Sequence, residues 1–367
     1  MELLQDMTHC YQDAFGAEDV SSGLMKRAIL RWLGLYYGRE SAQPLQLPYT
    51  IVRKITRAVF AEYAPSDGIA SLPAREAFEL ALVAGESYLK PIQTDGGIRW
   101  RAVSRGNLLI FGRDLWGEPT DVGLVERSLL GKHYFTLLER RVLEGGSLTV
   151  TNRLFRSGSR GNLGREVSLK SHPAYRELPA RYTYPQSLGG VGLVRLRTPM
   201  TNCIDGSREG VSIYAPATEL LDAIAENEEQ LQKEFRNGQS RLVVSRDMLS
   251  GGQLRSDVFV ALDESPDTVG ITVFSPQLRE QSYLNRQQSY LRALENLIGL
   301  KRGLLSQVEA VDRTATEITS SEGECMSTVM ELRTMWERAA AGAAALEGAL
   351  TGKEAAPIAI TWGDGVL

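Results

Sequence analysis

The chain has 367 residues, 43% of them hydrophobic, enough to bury a sizeable core and to form two or more structural regions. Lys and Arg number 41 against 45 Asp and Glu, a net charge of −4 without a long run of one sign. That balance excludes a protein that wraps DNA through a basic surplus.

The opening "MELLQDMTHCYQDAFGAEDV" has no basic stretch followed by an apolar run, and no later stretch reaches bilayer length without charge. The expectation is a soluble protein assembled in the cytoplasm. Three cysteines, Cys10, Cys203 and Cys325, lie far apart without metal-ligand spacing and read as reduced thiols. Apolar residues then recur at helical spacing from Gly23 to Tyr37 (Leu24, Ala28, Trp32, Leu35) and from Tyr49 to Tyr63 (Ile51, Ile55, Val59), separated by "SAQPLQLP". A third helix is predicted from Pro73 through Phe78 and Leu82 to about Gly85. The middle changes period: "SYLKPIQ", "GIRWRAVS", "NLLIFGR", "KHYFTLLERRV" and "SLTVTNRLFR" are short runs split by "TDGG", "SRG" and "EGG", the pattern of an antiparallel sheet of hairpins. From Arg156 to Arg208 Gly, Pro and Ser are frequent, and loops with scattered strands are expected.

After Pro216 the character changes again. "PATELLDAIAENEEQLQKEFRNG" places Leu220, Ile224, Leu231 and Phe235 on a narrow stripe, loads the other faces with Glu219, Asp222, Glu226, Glu229 and Glu234, and ends on Gly238. A strand-rich excursion, "RLVVSRDML", "DVFVALD" and "GITVFS", with a tip near Gly251, Gly252 and Gln253, leads to a second helix from about Leu278 to Ile298. Its stripe is Leu284, Gln287, Leu291, Leu294 and Ile298. Beyond "GLKRGLLSQVEAVD", Thr314 and Glu317 have the spacing of a capping box that starts a long helix. Its stripe continues through Ile318, Cys325, Val329, Leu332, Trp336 and Ala343 to Leu350, and Ser320, Ser321 and Gly323 make its early part easy to bend.

Catalytic patterns are absent from the sequence. His9, His133 and His172 stand without metal spacing, no serine sits in a nucleophile elbow, and "GSRGNLG" and "GGVG" are not dinucleotide fingerprints. The expectation is a protein with no catalytic residues, no metal and no cofactor. Trp32, Trp100, Trp116 and Trp336 read as core or interface anchors.

Several stretches carry a family resemblance: "AILRWLGLYYG", "ALVAGESYLKP", and most specifically "GVSIYAPATELLDAIAENEEQLQKEFRNGQSRLVVSRDML" and "NRQQSYLRALENLIGLKRGLLSQVEAVDRTATEITSS". Over nearly its whole length the chain resembles the portal proteins of tailed bacteriophages and prophages of Gram-positive bacteria. The resemblance implies an α+β portal fold. Residues 1–215 would form most of the wing, 216–238 and 278–298 two stem helices, and 239–277 a small α/β clip. Residues 299–312 would be the tunnel loop, 313–350 a long kinked wing helix, and 351–367 a short tail or truncated crown. Relatives continue past "ITWGDGVL" into a crown, so a minimal crown or a shortened product is implied.

It also implies a homo-oligomeric ring, typically a dodecamer, at one capsid vertex of the virion, passing double-stranded DNA without sequence preference. Partners would be the terminase large subunit, a head-tail adaptor, and the major capsid and scaffolding proteins. Leu220, Ile224, Leu231, Phe235, Leu291 and Leu294 would meet neighbouring subunits. Glu219, Asp222, Glu226 and Glu229 would line the stem, where acidic side chains repel a sliding phosphate backbone. Lys301, Arg302 and Gln307 would lie in the tunnel loop. Lys301 and Arg302 are read either as transient phosphate contacts or as a solvated basic pair. The alternative reading is another structural virion protein, such as a head-tail adaptor.

Overall fold

The computed structural model describes residues 2–38, 45–94, 96–238, 241–245, 259–262, 272–274, 277–307 and 315–363, with side chains for 9–38, 45–94, 96–238, 277–307 and 323–363. In chain order the elements are α1 (Glu2–Phe15), α2 (Gly23–Tyr36), α3 (Leu47–Val59), β1 (Ala64–Pro65), α4 (Ala74–Ala84), β2 (Glu86–Thr94), β3 (Gly97–Ser104), β4 (Leu108–Arg113), β5 (Pro119–Leu130), β6 (His133–Glu144), β7 (Ser147–Ser157), β8 (Arg165–Val167), β9 (Arg181–Thr183) and β10 (Val194–Arg197). There follow α5 (Thr218–Asn237), β11 (Arg241–Ser245), β12 (Phe259–Leu262), β13 (Thr272–Phe274), α6 (Glu280–Ile298), α7 (Ala315–Thr351) and β14 (Ile360–Thr361). The protein is mixed α+β, 42% helix and 24% strand. It divides into two compact units: Met1–Pro216, Ile298–Lys301 and Val311–Leu367 in the first, Ala217–Leu297 and Arg302–Ala310 in the second.

In the first unit, Ser22 caps α2, its Oγ accepting from the Met25 N–H at 3.1 Å. The buried face of α2 is Met25, Ile29, Trp32 and Leu35; Leu24, expected on the stripe, is exposed, because the face begins one residue later. Pro48 stands in the first turn of α3, where a missing N–H costs nothing, and Ile51, Ile55 and Val59 are buried as their spacing predicts. Gly85 ends α4 with φ of 81°, and it lies so close to Gly210 that a Cβ on either would overlap the other's backbone.

Two antiparallel sheets follow. β10, β2 and β3 form one; β4 to β8 form the other in sequence order, with β9 also on β7. The hairpins at "TDGG" and "EGG" join neighbours in register. β5 falls outside the expected runs because Glu126 and Arg127 interrupt its apolar pattern. The turn between β4 and β5 is held from both sides. Asp114 Oδ1 accepts from the N–H groups of Trp116 and Glu118, and Arg208 donates to the Trp116 carbonyl. It projects Leu115, 97% exposed, and Trp116, 72% exposed, so Trp116 is no core anchor, unlike Trp32, Trp100 and Trp336.

Buried charge pins the long segment after β10. Glu209 bridges Arg105 at 3.0 Å and Arg113 at 3.1 Å, and Glu86 pairs with Arg195 while accepting from the Gly210 N–H. Burial pushes the Glu86 carboxyl up, but the Arg195 charge and its hydrogen bond outweigh it and hold the group at about 2. α7 closes the core. Trp336 is fully buried, its ring 5.9 Å from Phe60, and its indole N–H donates to the Tyr63 hydroxyl at 3.1 Å. The segment after α7 returns to the same place: β14 pairs with β1, Trp362 lies 5.8 Å from Phe60, and Arg333 covers the Trp362 ring at 5.0 Å. The helix is unbroken through Ser320, Ser321 and Gly323.

In the second unit, β11 is the central strand of a three-stranded sheet, parallel to β12 and antiparallel to β13.

Candidate functional site

The expected stem residues sit on α5 and α6. Glu219, Asp222, Glu226 and Glu229, three or four residues apart, are all exposed and make one acidic face of α5. The other side buries Leu221, Ile224, Asn227 and Leu231. Asn227 stands there, where an apolar-periodicity rule rejects it, because its Nδ2 donates to the Tyr283 carbonyl of α6 at 3.1 Å. Two more polar contacts tie the helices: Gln287 to Glu228 at 3.1 Å, and the Arg279 fork on Glu234 at 3.1 and 2.9 Å.

These contacts change the reading of the apolar stripe. Ile224, Leu231, Leu291 and Leu294 are already buried within the single chain. Leu220 is half-buried, and Leu221 holds the inward position assigned to it. Phe235, 46% exposed, lies outside the buried face, as does Leu284 of α6. Of the six residues expected at a subunit boundary, Leu220 and Phe235 are those a neighbour can still cover.

The loop after α6 is ordered by a residue that periodicity does not single out. Glu295 is completely buried in the last turn of α6, beside Leu291, Leu294 and Ile298. The helix dipole disfavours an anion at that end, so an acid on the buried face there needs donors from elsewhere. The loop supplies them. Gly303 N–H donates to both carboxylate oxygens at 3.1 Å, Leu305 and Ser306 N–H to Oε1 at 2.5 and 2.9 Å, and Ser306 Oγ to Oε2 at 2.8 Å. Successive backbone N–H groups thus form an anion nest whose occupant is the protein's own carboxylate. Through both carboxylate oxygens Glu295 orders the backbone of the loop.

Gln307 is exposed and its N–H donates to Gln288 Oε1 at 2.7 Å. Gly299 adopts φ of 71°, and a Cβ there would overlap the Thr328 hydroxyl. Lys301 is half-buried and Arg302 exposed. Burial pushes the Cys325 thiol up, opposed by the Lys301 backbone N–H and charge. Thr314 and the Glu317 side chain, the expected cap, lie outside the described residues, as does the insert tip at Gly251, Gly252 and Gln253.

Among the described residues no group of three His, Cys, Asp or Glu side chains could hold a metal, and no helix is long and apolar enough to cross a membrane. No protein-family model and no curated protein matches the chain.

Proposed function

We propose that this chain is a portal-type ring subunit of a tailed-phage capsid, a structural and non-enzymatic channel for DNA entry and exit. One observation carries the reading: the order of elements from α5 onward. A 20-residue helix, a small three-stranded sheet and a 19-residue helix are followed by a loop organised by Glu295 and then a 37-residue helix. The exposed acidic face of α5 supports it physically. A wall past which a polyanion slides must not hold phosphate, and a ring repeats each carboxylate in every subunit. Lys301 and Arg302 then make transient phosphate contacts. The terminase large subunit and a head-tail adaptor dock at different stages on the β11–β13 segment, and the capsid and scaffolding proteins surround the ring at its vertex.

The test is electron microscopy with light scattering on the purified chain. Rings with a central hole and a mass near twelve protomers, the number the resemblance implies, are expected. A monomer or dimer across the accessible concentration range overturns the proposal.

A further inference from the structure

A cavity in the first unit has no part in the ring reading. β4 begins at Leu108, opposite Leu124, so β5 from Val125 onward has no ladder partner on that edge among the described residues. Beside this open edge, between it and the β2–β3 hairpin, lies a cavity of about 280 Å³. Four cations line it, Lys90, Arg101, Arg127 and Arg160, against two carboxylates, Glu126 and Glu139.

Both carboxylates are already engaged. Glu139 pairs with Lys90 and with Arg141 at 2.6 Å; Glu126 pairs with Arg101 at 2.8 Å and accepts from the Tyr175 hydroxyl at 3.1 Å. No hydrogen bond or ion pair joins the side chain of Arg127 or Arg160 to a described residue. The lining therefore has a surplus of two positive charges, next to the apolar side chains Val103 and Leu137.

We propose that this cavity binds a small phosphate-bearing dianion, held by Arg127 and Arg160, with Lys90 and Arg101 adding to the field. The planar guanidinium fork matches phosphate oxygens, and two unpartnered positive charges match a dianion. The volume lies below the ordinary range for drug-sized ligands, about 300–1,000 Å³. It suits inorganic phosphate or a short alkyl phosphate better than a nucleotide. The inference stands apart from the ring reading, and either can fail alone.

The experiment is calorimetric titration of the full chain with inorganic phosphate and with ethyl phosphate, at fixed ionic strength. Saturable one-site binding is expected, displaced by sulfate and not by acetate. Arg160→Gln, an exposed position that leaves folding intact, and Arg127→Gln should each weaken it roughly ten-fold or more. Ethyl phosphate should bind at least as tightly as phosphate, because its carbons meet the apolar wall. Absence of saturable binding, or unchanged affinity in the Arg160 variant, overturns the assignment. A short DNA duplex that displaces phosphate at equal phosphate concentration would also overturn it, since the occupant would then be a nucleic-acid backbone.

Discussion

Glu295 shows how much one side chain can organise. In Glu295→Gln one acceptor oxygen becomes an amide that faces N–H groups, leaving buried donors unsatisfied. The expected cost is about 3 kcal/mol, read by urea denaturation, with hydrogen exchange accelerated at Gly303, Leu305 and Ser306. Unchanged exchange at those three amides would remove Glu295 as the organiser of the loop. A second residue-scale prediction concerns acid. Burial raises the Glu139 carboxyl, but Arg141 and Lys90 outweigh it and hold the group at about 2 against an ordinary 4.5. Glu86 is held equally low. Folded-state values below the unfolded ones mean stability that is complete above about 4.5 and lost as pH falls toward 2. Denaturation midpoints should drop through that window, and Glu139→Gln should be less stable at neutral pH yet show a shallower acid slope. These partnerships are not legible in the sequence, because Glu139 and Lys90 lie on different sheets and only the folded chain brings them together.

At the scale of elements, legibility followed period and punctuation. α3, α4 and the hairpins are readable because Pro48, Gly85 and the glycine turns stand at their ends. The face of α5 is readable only to within one residue. "ELLD" offers two adjacent leucines, and the true stripe passes through the polar Asn227, whose partner is 56 residues away. α7 adds a prediction. Gly323 is exposed, and nothing lies within 4 Å of where its Cβ would stand. Gly323→Ala should therefore stabilise the helix by about 1 kcal/mol. A thermal midpoint that stays level or falls would show that the glycine serves a bend.

For the whole molecule, the first unit is discontinuous in sequence. Its α3 and α4 core waits for Trp336, which reaches Tyr63 across 273 residues, and for Trp362 beyond it. Contacts of that separation slow folding, so completion of this unit should follow synthesis of nearly the entire chain. Trp362→Ala removes a ring shared by Phe60, Tyr63 and Arg333. It should cost about 2–3 kcal/mol, less than a fully buried Trp because the ring is only half-buried. Equal urea midpoints for variant and parent would show that the tail adds nothing to the core. Sequence reading reached the α+β character and the succession of helices and sheets. The return of residues 351–367, expected as a short tail or truncated crown, is not legible there, because β14 and its partner Ala64–Pro65 are two residues each.

The turn that carries Leu115 and Trp116 has an optical consequence. Of the five indoles, those of Trp32, Trp100 and Trp336 are enclosed and that of Trp362 is half-covered, whereas Trp116 stands in water on a backbone fixed by Asp114 and Arg208. Its fluorescence should lie at the red edge of the emission band and be the first quenched by iodide. A contact that occludes the turn should shift that component to the blue and shield it from the quencher, so the native protein carries a reporter of its own encounters at that turn.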